Sequence, residues 1–298
     1  MASILPDGFD NQGFFQSRDG LNLHYYQRQA PEPEFYLVAI HGMGEHAGRY
    51  GWLANQVAAE GGSFSCLNLR GHGLSEGQRG HSPNYPQLLE DTADFIDIQH
   101  EGKDRPLFLF GHSLGGGLAL NFALEADTYY KDPIKRISGV IASSPLLRLA
   151  FQPPTWKLFL ARKLVKSMPS FSLDRGIKPW LLTRDENARI YYKSDSLVHE
   201  RVSAALTIGF FDAGESALAK ANELQVPTLI LHGEADQVTS IDASIEFAEK
   251  AGEKADFKSF PKCYHELINE PERDQVAAAI LSWVQERQAH QFGADHQL

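Results

Sequence analysis

The chain has 298 residues, enough for one α/β domain enlarged by an insertion, and its 43% hydrophobic and 22% charged content is that of an ordinary globular protein. A formal net charge of −10 argues against nucleic acid as a partner, because a polyanion is held by a basic face. Two cysteines, Cys66 and Cys263, are too few for a disulfide framework and are expected to be reduced. The first residues lack a basic segment followed by a long apolar one, and no apolar run is long enough to cross a bilayer, so a cytoplasmic location is expected. No Cys/His cluster has metal-ligand spacing and no G-x-G-x-x-G opens a helix after the first strand, so neither metal nor cofactor is expected.

In chain order, a hairpin is predicted first, with Arg18-Asp19-Gly20 turning between strands at 13–16 and 21–26. The continuous apolar run 35–40 reads as a strand covered on both faces and ends in His41-Gly42-Met43-Gly44-Glu45-His46. Helices are predicted over 50–60 and 85–100, with Cys66 in a strand pattern between them. The apolar run 106–110 then leads into Gly111-His112-Ser113-Leu114-Gly115 and a helix over 114–126. A strand, a sharp turn carrying serine and a helix make a nucleophile elbow, which lifts the hydroxyl clear of the sheet. A Gly-rich connection between a core strand and a helix is the plain alternative.

A serine nucleophile needs a base and a group that orients the base. The strand pattern 227–231 runs into a turn carrying Asp236, the expected orienting acid, with Glu234 as its rival. A helix over 241–250 and a strand over 255–260 then lead to His265, the expected general base, and a helix over 273–288 follows. His41, His46 and His232 read as structural. The backbone amides of Met43 and Leu114 are the expected oxyanion donors, one after an early strand and one after the nucleophile. Alternation of strands and helices implies a mostly parallel sheet with helices on both faces. The alternation breaks after residue 145 and resumes near 226, so residues 1–145 and 222–298 are expected to form the core and residues 146–221 an inserted helical lid.

His41-Gly-Met-Gly-Glu-His-Ala-Gly-Arg-Tyr50, Arg70-Gly-His-Gly-Leu-Ser75, Gly111-His-Ser-Leu-Gly115, Asp236-Gln-Val and Tyr264-His265 together resemble the monoacylglycerol lipase and lysophospholipase branch of the serine α/β hydrolases, which is serine aminopeptidase S33-like. The chain order Ser, Asp, His is the one that fold uses. The resemblance spans about residues 20–285. It implies an α/β-hydrolase fold, Ser113 as nucleophile with Asp236 and His265 as partners, oxyanion amides at Met43 and Leu114, and a lid above them. Asn68 departs from the aspartate that relatives often carry before Arg-Gly-His-Gly, at a scaffold position.

The activity implied is hydrolysis of a monoacylglycerol to fatty acid and glycerol, a small-molecule lipid ester being the partner. Lysophospholipase or broad carboxylesterase activity uses the same triad, and a non-catalytic lipid-binding protein or an aminopeptidase are further readings. Leu146, Leu147, Leu149, Phe151 and Trp156 are expected to line an acyl tunnel. Between residues 146 and 186 eight basic residues stand against three acidic ones, and 156–168 sorts at 100° per residue into an apolar arc opposite Arg162, Lys163 and Lys166. Such a basic amphipathic helix either docks transiently on a membrane surface, making the protein peripheral there, or packs its apolar arc into the lid interior. Cys263, two residues before His265, is expected near the site, where a thiol reagent would block it.

Overall fold

The computed structural model describes residues 5–100, 104–129, 137–152 and 154–295. Eight strands form one sheet: β1 (Asn11–Gln16), β2 (Asn22–Arg28), β3 (Phe35–Ile40), β4 (Gly62–Leu67), β5 (Leu107–His112), β6 (Gly139–Ser143), β9 (Thr228–Gly233) and β10 (Ala255–Phe260). Their order is β1-β2-β4-β3-β5-β6-β9-β10, and every neighbouring pair from β4 to β10 is parallel, while β1 and β2 are joined antiparallel at one edge. The mostly parallel sheet flanked by helices expected from the alternation is therefore present.

Burial explains the two kinds of strand sequence. β4, β5, β6 and β9 are buried at every position, as parallel strands covered on both faces require, whereas the edge strand β10 alternates and the edge strand β1 buries only Phe15. The two-residue period sends Phe108 and Phe110 to one face, under α1 (Gly51–Ala59) and α8 (Arg273–Asp295), and Leu107 and Leu109 to the other. That second face is covered by α2 (Tyr85–His100), α3 (Leu114–Tyr129) and α7 (Ile241–Ala251).

Between β6 and β9 the chain makes α4 (Thr155–Ser167), the short strands β7 (Ser172–Asp174) and β8 (Arg201–Ser203) paired antiparallel, α5 (Glu186–Ser194) and α6 (Ala204–Lys220). α6 is capped by Ser203, whose Oγ accepts from the Leu206 amide at 3.2 Å, and its Leu206, Ala217 and Leu218 join the apolar cluster of the sheet. α4 differs, for none of its residues whose burial is described is fully buried. The segment between β6 and β9 is thus built into the body through α6 and open to solvent along α4.

Candidate active site

Ser113 follows the carboxyl end of β5 and stands at φ +53°, a left-handed conformation rare for a residue with a β carbon. The turn is held by Ser113 N donating to the Ser143 carbonyl at 2.9 Å, and by the Leu146 and Gly117 amides donating to the Ser113 carbonyl at 2.8 and 3.0 Å. Only glycine fits beside it: a β carbon on Gly111 would lie 2.1 Å from the Gly115 carbonyl oxygen, and one on Gly115 would lie 2.2 Å from that of Ile40.

The loops after β9 and β10 bring two side chains to this serine. His265 Nε2 lies 2.9 Å from Ser113 Oγ, and His265 Nδ1 lies 2.8 Å from Asp236 Oδ2. Asp236 is fixed in turn, its Oδ1 accepting from the amides of Val238 and Thr239 at 2.7 and 3.1 Å and its Oδ2 from Thr239 Oγ1 at 2.9 Å. Burial alone would raise its pKa, yet His265 and His232 beside it hold the carboxyl far below the usual carboxylate range. His232, read from sequence as structural, sits buried with Nε2 3.2 Å from Asp236 Oδ2 and Nδ1 2.8 Å from Ser244 Oγ. The rival acid Glu234 is exposed and accepts from Ser259 Oγ at 2.8 Å, away from His265.

The loop after β3 carries the Met43 amide. His41, buried and pushed down to about 4 by that burial, is neutral, so it has one ring N–H and one lone pair. Nε2 accepts from the Leu69 amide at 3.0 Å, which leaves Nδ1 to donate to the Gly42 carbonyl at 2.7 Å. Because the Gly42 carbonyl and the Met43 N–H belong to one peptide plane, His41 sets the direction in which that N–H points. The Leu114 amide opens α3, where no intrahelical acceptor exists. Leu114 adjoins Ser113 in the chain, and Met43 lines the same cavity as Ser113.

Sequence reading assigned no role to the buried ion network beneath this loop. Glu45 Oε1 accepts from the Gly42 amide at 2.7 Å and from Tyr50 Oη at 2.8 Å, while Arg49 bridges Glu45 at 2.6 Å and Glu266 at 2.7 Å. Burial would raise the Glu45 carboxyl, but the Arg49 guanidinium above all brings it down to about 2. Glu45, Arg49 and Tyr50 lie within one visible motif, but Glu266 is remote in sequence, so no local spacing signals the bridge. It ties the loop carrying the Met43 amide to the loop carrying His265. His46 is likewise structural, with Nε2 2.7 Å from Asp195 Oδ2 and Nδ1 accepting from the Gly48 amide.

Ser113 and His265 open on a cavity of about 550 Å³, a size suited to a small-molecule ligand. One end is polar, with Glu45, Arg175, Tyr192 and Glu266, and the other is walled by Leu149, Leu158, Leu164, Phe210 and Phe211. Of the expected tunnel residues, Leu146, Leu149, Phe151 and Trp156 line it. Leu147 does not: it is buried in the core cluster, with its carbonyl so near Gly214 of α6 that a β carbon there would lie 2.0 Å away. Cys263 also departs from expectation. It does not line the cavity: its thiol is turned to Glu272 and Arg184, and burial with Glu272 and Glu270 pushes it up to about 12. Cys263, Glu270 and Glu272 would group metal-ligating atoms, but Arg184 already occupies that cluster, bonded to both carboxylates and the sulfur.

The four arginines among the eight basic residues of 146–186 are spent on contacts. Arg148 pairs with Glu215 and Glu246, Arg162 with Asp212, Arg184 with Glu270 and Glu272, and Arg175 donates to the Met43 carbonyl. Lys163, Lys166 and Lys178 remain exposed beside a set of exposed apolar side chains: Trp156 and Phe159 are 63% and 62% exposed, and Leu160, Met168, Leu173 and Trp180 are exposed around them.

The family model described as serine aminopeptidase, S33 matches residues 31–272. The chain belongs to this family. The motif resemblance is thereby borne out. An uncharacterized abhydrolase domain-containing protein of Dictyostelium discoideum is 32% identical over 86% of the chain, which spans 27% of that relative's length. A monoacylglycerol lipase of Mycolicibacterium smegmatis is 28% identical over 85% of this chain and 89% of its own. The crystal structure of Paleococcus ferrophilus monoacylglycerol lipase superposes with a TM-score of 0.81 at 32% identity, covering 89% of this chain and 99% of that one. The architecture is the α/β-hydrolase fold, and the chain is a carboxylic ester hydrolase of the monoacylglycerol lipase type.

Proposed function

We propose that the protein cleaves monoacylglycerol to fatty acid and glycerol through an acyl-enzyme on Ser113. The observation that carries this reading is the Ser113–His265–Asp236 hydrogen-bond chain at the floor of a cavity with one polar and one apolar end. Ser113 Oγ attacks the ester carbonyl as His265 Nε2 takes its proton, and the amides of Met43 and Leu114 receive the oxyanion. Collapse breaks the bond to the glycerol oxygen, which leaves with the proton held by His265. Water then repeats the cycle on the acyl-enzyme and releases the fatty acid. Asp236 keeps the imidazole in the tautomer that accepts at Nε2. No metal or cofactor takes part in these steps.

The charge pattern favours an ester over a peptide N-terminus. An α-amino group would need a free carboxylate near Ser113, and Glu45 and Glu266 are both taken up by Arg49. Residues 146–221 act as the lid, with α4 as its open side. The exposed Trp156, Phe159 and Leu160 are the surface through which a peripheral, cytoplasmic enzyme would draw a single-chain lipid from a membrane.

Hydrolysis of monoacylglycerol, lysophosphatidylcholine and a short p-nitrophenyl ester by wild type and Ser113→Ala tests the assignment. Ser113-dependent turnover highest on monoacylglycerol is expected. Turnover confined to the lysophospholipid or the short ester would reassign the head group.

A further inference from the structure

The polar end of the cavity contains a cation whose donors are not used up by the protein. Arg175 follows β7, and one Nη1–H goes to the Met43 carbonyl, while its backbone amide donates to the Glu200 carbonyl at 2.7 Å. The guanidinium packs against the same loop so closely that a β carbon at Gly44 would lie 3.0 Å from Arg175 Cζ. Its Nε and Nη2 are closed to solvent and have no acceptor among the described residues, and the hydroxyl of Tyr192, another lining residue, is in the same condition. The Tyr192 ring faces both Arg49 and Arg175, at 4.8 and 5.9 Å from the guanidinium carbons. A buried donor without an acceptor is costly, and is retained where a ligand supplies one.

We propose that Arg175 is the head-group residue of the cavity, donating from Nε and Nη2 to the free hydroxyls of a glycerol ester, with Tyr192 Oη as the neighbouring partner. This rests on the monoacylglycerol reading above and names a residue that selects within it. Charge decides between a neutral and an anionic head group. The buried carboxylates Glu45 and Glu266 are balanced by the guanidiniums of Arg49 and Arg175, and Asp174 adds a negative charge at the mouth. A phosphate would bring uncompensated charge into that cluster, whereas hydroxyls accept the free N–H groups without changing its charge. Arg175 is therefore a specificity residue for a neutral polyol ester.

The experiment compares a 1-monoacylglycerol with the methyl ester of the same fatty acid, on wild type, Arg175→Met and Arg175→Lys. Lysine keeps a cation able to reach the Met43 carbonyl but loses the planar fork. Wild type should favour the glycerol ester, and Arg175→Met should reduce kcat/KM for it at least about tenfold more than for the methyl ester, mainly through KM. Arg175→Lys should also lose discrimination while retaining more activity on both. Because the readout is a ratio within one preparation, partial misfolding cancels. Equal losses on the two esters in Arg175→Met, recovered in Arg175→Lys, would overturn the proposal and reduce Arg175 to a support for the Met43 loop. If wild type hydrolyses the methyl ester but not the glycerol ester, the monoacylglycerol reading falls and this inference with it.

Discussion

The left-handed backbone at Ser113 is strain that two glycines and three main-chain hydrogen bonds make tolerable, and it aims Oγ at His265. Ser113→Ala should lower kcat by several orders of magnitude, roughly 10³ to 10⁶, with an unchanged urea midpoint, since the alanine fits the same turn. Retained turnover would remove Ser113 from the chemistry. Ser113, Asp236 and His265 were legible because each follows a strand-like run in the order the fold imposes. The Glu45–Arg49–Glu266 bridge was not, since its partners meet only after folding. Arg49→Met should destabilise by about 3–5 kcal/mol in urea unfolding, because it strands two buried carboxylates. Acid should act on the same groups. Glu45 and Asp236 both have folded pKa values below the ordinary carboxylate value of about 4, so their stabilisation is complete above that value; that of Glu45 is lost as pH falls toward about 2, while Asp236, held lower still, keeps part of its contribution to more acid pH. Urea midpoints should fall across that window and fall less in Glu45→Gln. A midpoint independent of pH there would contradict the assignment.

At the scale of elements, the parallel strands were readable because residues buried on both faces give unbroken apolar runs. The segment between β6 and β9 was not, and α6 shows why. In its first half Ala204, Thr207, Phe210 and Phe211 line the cavity while Ala205 and Leu206 are buried, so the polar stripe of Asp212, Glu215, Ser216 and Lys220 begins only half-way along the helix. β7 and β8 are three residues each, too short for an alternation to register. Leu147 was misplaced for a related reason: adjacent leucines after a strand point to opposite sides, and only Leu146 reaches the cavity. Leu147→Ala should therefore cost about 2–5 kcal/mol of stability. Phe151→Ala, at an exposed rim position, should stay within about 0.5 kcal/mol. Differential scanning calorimetry of the two variants separates core from rim.

On the whole molecule, a net charge of −10 sits behind a rim whose arginines are mostly paired and whose exposed side chains are aromatic and aliphatic. Attraction to lipid should thus come from apolar contact more than from charge. Binding to phosphatidylcholine vesicles should persist at high salt and fall sharply in Trp156→Ser/Phe159→Ser, as read by cosedimentation. Binding that requires anionic lipid and vanishes with salt would instead make the remaining lysines the anchor. The account as a whole depends on one oxygen atom, so the decisive measurement is a titration with a fluorophosphonate. Labelled Ser113 is quantified by peptide mass spectrometry and residual monoacylglycerol hydrolysis is measured on the same samples. Activity should fall in proportion to Ser113 labelling and reach zero at one equivalent. Full labelling of Ser113 with hydrolysis intact would contradict a serine acyl-enzyme in this protein.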